Sequence, residues 1–135
     1  MGKAGRYYHG NTVTDDVASI GTSYDKTKYH THVLTPGQFT SIINGVYVRI
    51  TSIAGGSATP KITMRLSCDS GGDYTFLPDT EATVAIGLTT STVGVCAWQF
   101  DLPVKQFFGT GTVYLHIKID QGTCTLDASC ITWSE

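Results

Sequence analysis

The chain has 135 residues, of which 41% are hydrophobic and 15% charged, and its formal net charge at pH 7 is -2. This length suits one ordinary domain, and the apolar content excludes intrinsic disorder of the whole chain. The nearly balanced charge leaves no basic surface for a phosphate backbone, so we expect no direct contact with nucleic acid.

The N-terminal residues contain no apolar segment of the kind a secretory signal needs, and no run of about 18 apolar residues occurs anywhere. We therefore expect a soluble protein made in the cytosol, with no membrane partner. Residues 1–16 hold three glycines and hardly an aliphatic side chain before Val13. Such a segment is typical of a flexible arm that stays disordered or orders on a partner. The predicted organisation is an N-terminal arm over 1–16 and a single β-sandwich domain over 17–135.

Apolar and polar residues alternate with period 2 along most of the domain, whereas no window keeps helical spacing. The sequence therefore predicts an all-β fold. The clearest case is 113–119, where four aliphatic residues alternate with polar ones and define a buried face. In chain order, the predicted strands are 17–24, 26–34, 46–50, 62–68, 82–90, 96–102, 113–119 and 123–133.

Turn residues separate these segments, among them Asn44-Gly45 and Gln121-Gly122. The second pair predicts a tight hairpin between the last two strands. Many short strands with one buried face each are typical of two packed sheets or a closed barrel. We predict a jelly-roll-like antiparallel β-sandwich of about eight strands, because that number suits two Greek keys, with an immunoglobulin-like sandwich as the alternative.

The four cysteines have spacings that match no zinc or redox motif. Each of them shares a predicted strand face with apolar residues. We therefore expect buried structural thiols, with disulfide pairing as the alternative. The four residues are Cys68, Cys96, Cys124 and Cys130.

His30 and His32 lie on one face of a predicted strand, at a spacing that suits two imidazole ligands of a metal. The pair resembles the first half of a cupin metal motif, but that motif requires a glutamate a few residues later, where this sequence has none, and no third histidine motif surrounds His116. We therefore expect two solvent-facing histidines and no bound metal. A small metal-dependent jelly-roll enzyme is the enzymatic alternative.

Other catalytic arrangements are also missing from the sequence. Glu81 and Glu135 are the only glutamates, so no glutamate pair serves glycoside hydrolysis, and neither a GxSxG elbow nor a phosphate-binding loop occurs. Asp69 and Asp73 fall in a turn, where capping of the backbone is expected and calcium binding is the alternative. We predict that the protein is not an enzyme and has no catalytic residue and no cofactor.

The aromatic residues point to binding. Trp98 falls on a core face, whereas Trp133 is expected to be exposed or covered by a partner. Seven tyrosines and two tryptophans are typical both of protein interfaces and of surfaces that stack sugars. The sequence does not separate these two uses.

The whole layout, a glycine-rich arm before a compact sandwich rich in Thr, Ser and Gly, resembles the head decoration (cement) proteins of tailed bacteriophages. The resemblance implies a non-enzymatic virion structural protein, often a trimer, assembled in the host cytoplasm and bound to the capsid exterior. There it would bind and stabilise the lattice of the major capsid protein, with the arm adding a strand to a neighbouring sheet. The alternative is a carbohydrate- or receptor-binding sandwich of a phage tail tip or fibre. The candidate partner-binding residues are Arg6, Tyr7, Tyr8 and His9.

Overall fold

The computed structural model describes residues 8–34, 42–55, 60–75, 82–85, 94–103 and 112–134. Within these ranges the chain forms nine strands. A helix long and apolar enough to cross a membrane does not occur in the described ranges. The strands are β1 (Tyr8–Val13), β2 (Val17–Ile20), β3 (His30–Val33), β4 (Ile42–Ala54), β5 (Lys61–Ser67), β6 (Ala82–Ala85), β7 (Gly94–Pro103), β8 (Thr112–Ile119) and β9 (Thr123–Ser134).

The strands form two antiparallel sheets. The first sheet has the order β1-β9-β4-β7, with β2 also paired to β9, and the second has the order β3-β8-β5-β6. β1 pairs with residues 129–134 of β9, and β2 pairs with Leu126 and Cys124. β1 and β2 therefore lie end to end along β9 as one interrupted edge strand, which leaves eight strand positions. The predicted all-β, jelly-roll-like antiparallel sandwich is confirmed.

The core lies between the sheets and takes residues from both. The alternation predicted at 113–119 is confirmed, because the four aliphatic residues of β8 are each at most 2% exposed. Trp133 is 3% exposed and belongs to this core, where the ring of His9 stacks on it. Trp133 is therefore covered by residues of its own chain and not by a partner. The buried hydrophobic residues are Ile20, Leu34, Ile43, Val46, Val48, Ile50, Ile53, Ile62, Met64, Leu66, Trp98, Val113, Leu115, Ile117, Ile119, Cys124, Leu126, Ile131 and Trp133.

The predicted arm differs from the structure over residues 8–13. These residues form β1, whose backbone pairs with β9 from Tyr8 opposite Ser134 to Val13 opposite Ser129. The physical reason is that a strand is held to its sheet by backbone hydrogen bonds, which need no aliphatic side chain. This part of the expected arm is a sheet strand, and residues 1–7 lie outside the described residues.

Two predicted turns are corrected. Asn44 and Gly45 lie inside β4, where the pairing with β7 and β9 shifts register between Ile43 and Gly45. A Cβ at Gly45 would lie 3.1 Å from the Tyr47 ring and 3.3 Å from Thr132 Oγ1, so glycine fits a close approach in a bulged strand.

The turn at Gln121-Gly122 is tight but is not a hairpin. β8 and β9 belong to different sheets, so the chain crosses there from one sheet to the other. Alternating strands around a short turn look the same in sequence whether they pair in one sheet or face each other across a core.

The cysteine prediction is confirmed in part. None of the three cysteine thiols in the described residues forms a disulfide, and Cys124 is 1% exposed. The expectation for Cys68 is wrong, because β5 ends at Ser67 and Cys68 is exposed in the loop that follows. Cys130 is partly buried, and the side chain of Cys96 lies outside the described part of the structure.

Candidate functional site

A cluster of buried polar side chains lies at one open side of the sandwich. The edge strand β3 of the second sheet packs there against the edge strand β1 of the first. His30 and His32 point inward from β3 and are 1% and 0% exposed. The expectation of two solvent-facing histidines is therefore wrong. Thr31 and Val33 occupy the outward positions of β3. The hydrophobic side chain of Val33 is therefore exposed, and the two histidines lie on the core face.

Both histidines contact one hydroxyl of the opposite sheet. His30 Nδ1 lies 2.6 Å from Ser129 Oγ, and His32 Nε2 lies 2.7 Å from the same oxygen. Ser129 belongs to β9 and is 2% exposed. The hydroxyl thus joins the two sheets through two short polar contacts in an otherwise apolar core.

The outer nitrogens of the two rings face the N-terminal segment. His30 Nε2 contacts the backbone carbonyl of Asp15. His32 Nδ1 lies 3.1 Å from the backbone carbonyl of Asn11 and 2.8 Å from its Oδ1. Because carbonyl oxygens only accept, we assign the ring protons to His30 Nε2 and His32 Nδ1.

Burial sets the charge of this cluster. Burial, with the positive charge of the neighbouring His30 acting in the same direction, lowers the pKa of His32 from 6.5 to about 4. Burial also lowers the pKa of His30, against the opposing effects of the Asp15 carbonyl and the carboxylates of Asp15, Asp127 and Asp16. Both histidines are therefore neutral at pH 7.

Carboxylates lie at the rim of the cluster. A hydrogen bond with Asp127 raises the pKa of the Asp16 carboxyl, and burial and the negative charges of Asp127 and Asp15 act in the same direction. Asp127 also forms an ion pair with Arg49 Nε at 3.2 Å. The rim therefore favours positive charge on His30 more than on His32.

The contact of a serine hydroxyl with a histidine is also what nucleophilic catalysis requires. Here the hydroxyl is enclosed between two sheets, so a substrate does not reach it. Within the described ranges no group of three or more His, Cys, Asp or Glu residues could hold a metal ion. The arrangement suits proton uptake and positioning of strands.

A third buried histidine lies on the outer face of the second sheet. His116 is one of the polar residues that alternate with the aliphatic residues of 113–119, yet it is 1% exposed. Its Nε2–H donates to the Ser70 carbonyl at 2.9 Å, and its ring lies 5.3 Å from that of Tyr29. Two loops therefore cover this part of the sheet, and burial lowers the pKa of His116.

The predicted turn at Asp69 and Asp73 is confirmed as a capped turn. The carboxylate of Asp69 accepts hydrogen bonds from the backbone N–H groups of Asp73, at 3.1 Å, and Tyr74, at 2.8 Å. Asp73 forms an ion pair with Lys26 at 3.1 Å. These contacts stabilise the loop that covers His116.

Of the predicted partner-binding residues, Arg6 and Tyr7 lie outside the described residues. The backbone of Tyr8 pairs with β9. The ring of His9 stacks on Trp133, with ring centroids 5.2 Å apart and an angle of 20° between the planes. A role of these four residues in partner binding stays a prediction.

Sequence reasoning missed Asn11, Asp15 and Ser129. Leu126 and Ser129 both point inward although they differ in parity, because the pairing of β4 with β9 shifts register between Arg49 and Ile50. The bulge places Ser129 on the core face. Simple alternation along 123–133 carries no signal of it.

Removal of the Ser129 hydroxyl tests its place in the cluster. We expect Ser129→Ala to lower the free energy of unfolding at pH 7 by roughly 1–3 kcal/mol, because it leaves buried ring nitrogens without a partner. Urea denaturation measures the change, with Ser70→Ala as the control at an exposed position. Equal midpoints for the two variants would contradict the assigned contacts.

No family model and no curated protein matches this sequence. Among solved structures, the chain is similar to a chain of the T13 particle of infectious bursal disease virus. The identity is 14%, the match covers 95% of this chain and 31% of that chain, and the TM-score is 0.53. A chain of the Gt strain of the same virus matches at 14% identity, over 96% of this chain and 32% of that chain, with a TM-score of 0.51.

These similarities show the fold. The chain is a β-sandwich of the kind found in a viral capsid, and it spans about a third of the length of the two virus chains.

Proposed function

We propose that the chain is a non-enzymatic structural protein of a virus particle, which binds and stabilises the lattice of a major capsid protein as a decoration or cement protein. The observation that carries this proposal is the fold shared over 95% of the chain with a protein of an icosahedral virus particle. A fold by itself hosts many functions. The proposal therefore depends on tests of assembly.

The proposed mode of action is binding without chemistry. The protein would be a trimer on the capsid exterior, assembled in the host cytoplasm. β1 is the end strand of its sheet in the described part of the structure, and edge strands are where a neighbouring chain adds a strand. Repeated weak contacts on a symmetric lattice then add up through effective concentration. The proposed contact residues are Arg6, Tyr7, Tyr8 and His9.

The first test measures the mass and the partners of the full chain. We expect sedimentation velocity and light scattering to give a closed trimer that retains no sugar from a glycan panel. We also expect the chain to co-sediment with purified particles from its source, in a fixed ratio to the major shell protein. A monomer that retains a specific sugar and stays off the particles would overturn the proposal and favour the carbohydrate- or receptor-binding alternative.

A second test concerns the N-terminal contact. Deletion of residues 1–7 removes none of the residues that pair in β1. We expect this variant to keep the mass and thermal stability of the full chain and to lose co-sedimentation with particles. Unchanged co-sedimentation would show that these residues do not form the contact.

A further inference from the structure

The buried histidine cluster is closed by the segment that precedes the sandwich core. Asn11 of β1 and Asp15 of the connection 14–16 supply the acceptors for the outer ring nitrogens. β1 lies at the end of its sheet and pairs there with β9. Water therefore reaches the two histidines once β1 and the connection 14–16 move away, while β4, β5, β8 and β9 stay in place.

Three hydrogens serve the four ring nitrogens of the neutral cluster, each of which has a polar contact. When both rings are neutral, His30 Nε2 and His32 Nδ1 carry hydrogens toward the N-terminal segment, and both inner nitrogens are acceptors. The hydroxyl of Ser129 lies between them with a single hydrogen. One of its two contacts to a ring nitrogen therefore lacks a hydrogen.

One added proton completes the network. With a proton on His30 Nδ1, that nitrogen donates to Ser129 Oγ, whose own hydrogen donates to His32 Nε2. The charged groups that face His30 are the carboxylates of Asp15 and Asp16 from the connection and of Asp127 from β9, the last paired with Arg49 of β4. The first proton thus has a hydrogen-bonded place beside negative charge.

A second proton, on His32, would not be accommodated in the same way. It would make both rings cationic with their centroids 6.3 Å apart, in a site shielded from water. The Ser129 hydrogen would then lose its acceptor on His32, and like charges would repel across one oxygen. The acidic residues that act on His30 do not act on His32, whose charge is affected by His30 and Asn11.

We propose that the His30–Ser129–His32 cluster is an acid-sensitive latch, in which one proton on His30 is held in the closed state and a second proton on His32 releases β1 and the connection 14–16 from the sandwich. The latch goes beyond the proposed structural role, because it gives the N-terminal segment two states. Local release is favoured over global unfolding, since it hydrates both rings and leaves the core between the sheets packed.

Hydrogen exchange of the full chain tests the latch. A histidine with a pKa of 6.5 in the open state and about 4 in the closed state raises the open population on the order of 20-fold between pH 7 and pH 5. After correction for intrinsic exchange, we expect protection of the β1 amides to fall by that factor, and at both pH values β4 should be better protected than β1 and its exchange more strongly accelerated by urea. Equal protection and equal urea dependence of β1 and β4, or constant protection of β1, would overturn the proposal.

Two variants separate the latch from a general effect of acid. His32→Gln should show a smaller fall in β1 protection from pH 7 to pH 5 than the wild type, because only His30 then titrates in the cluster. His116→Gln removes a histidine that is buried on the opposite face of the second sheet, and should leave the fall in β1 protection unchanged. A fall in His32→Gln as large as in the wild type would refute a role for His32.

A measurement on the wild type covers the case in which His32→Gln does not fold. In a nitrogen-15 NMR titration of the side chains, we expect His30 to gain a proton while the β1 amide signals keep their positions. His32 should gain a proton only together with the loss of those signals. Protonation of His32 with β1 still in place would overturn the latch.

Discussion

Acidification from pH 7 to pH 4 is expected to lower the free energy of unfolding by about 3 kcal/mol through His32 alone. The pKa of this residue is about 4 in the folded protein and 6.5 when hydrated, and one unit of pKa difference corresponds to about 1.4 kcal/mol. Because the folded pKa is the lower one, the unfolded chain binds more protons between these values. Stability is therefore complete above pH 6.5 and is lost as the pH falls toward 4.

Urea denaturation at several pH values measures this loss. The lowered pKa values of His30 and His116 act in the same direction, so the wild type should be at least as sensitive as His32 alone predicts. His32→Gln should give a clearly flatter curve between pH 6.5 and pH 4. A wild-type stability that is constant over that interval would contradict the burial of neutral histidines in the core.

Gly122→Ala is expected to lower the free energy of unfolding by roughly 3 kcal/mol. Gly122 has a φ of 74°, in the left-handed region that costs other residues about 1–2 kcal/mol. A Cβ there would lie 2.0 Å from the carbonyl oxygen of Ala54 and 2.7 Å from that of Gly55. Both contacts are with backbone, so the crossing between β8 and β9 would have to move, at a further cost typical of overpacking.

Gly21→Ala is the matched control for this substitution. A Cβ at Gly21 meets no atom within 4 Å. We expect its free energy of unfolding to stay within about 0.5 kcal/mol of the wild type, as is usual at surface positions. Thermal or urea denaturation compares the two variants, and similar midpoints for both would show that the turn around Gly122 adapts easily.

Much of the fold could be predicted from the sequence, because a strand with one buried face shows a regular alternation of apolar and polar residues. Residues 113–119 show it most clearly, with four aliphatic side chains two positions apart that all lie in the core. Trp98 and Cys124 were placed on core faces for the same reason and are buried. Period-2 alternation, turn residues and chain length together indicated an antiparallel sandwich of about eight strands.

The candidate site could not be predicted, because its members come from distant parts of the chain. His30 and Ser129 lie 99 positions apart, and they meet because β3 and β9 face each other across the core. Ser129 also points inward only through a shift in strand register. The pattern around His30 and His32 offered no aliphatic alternation, so their face was assigned by polarity, and polarity indicated the wrong one.

The sequence by itself determined that this protein is all-β and is built from short strands with one buried face each. These properties depend on neighbours in sequence, where a period of two residues fixes which side chains share a face. Tertiary structure alone decided that β1 joins the sheet, that the Gln121-Gly122 turn crosses between sheets, and that two histidines share one buried hydroxyl. Each of these depends on which strands become neighbours, and pairing and packing between distant segments are set by the whole core.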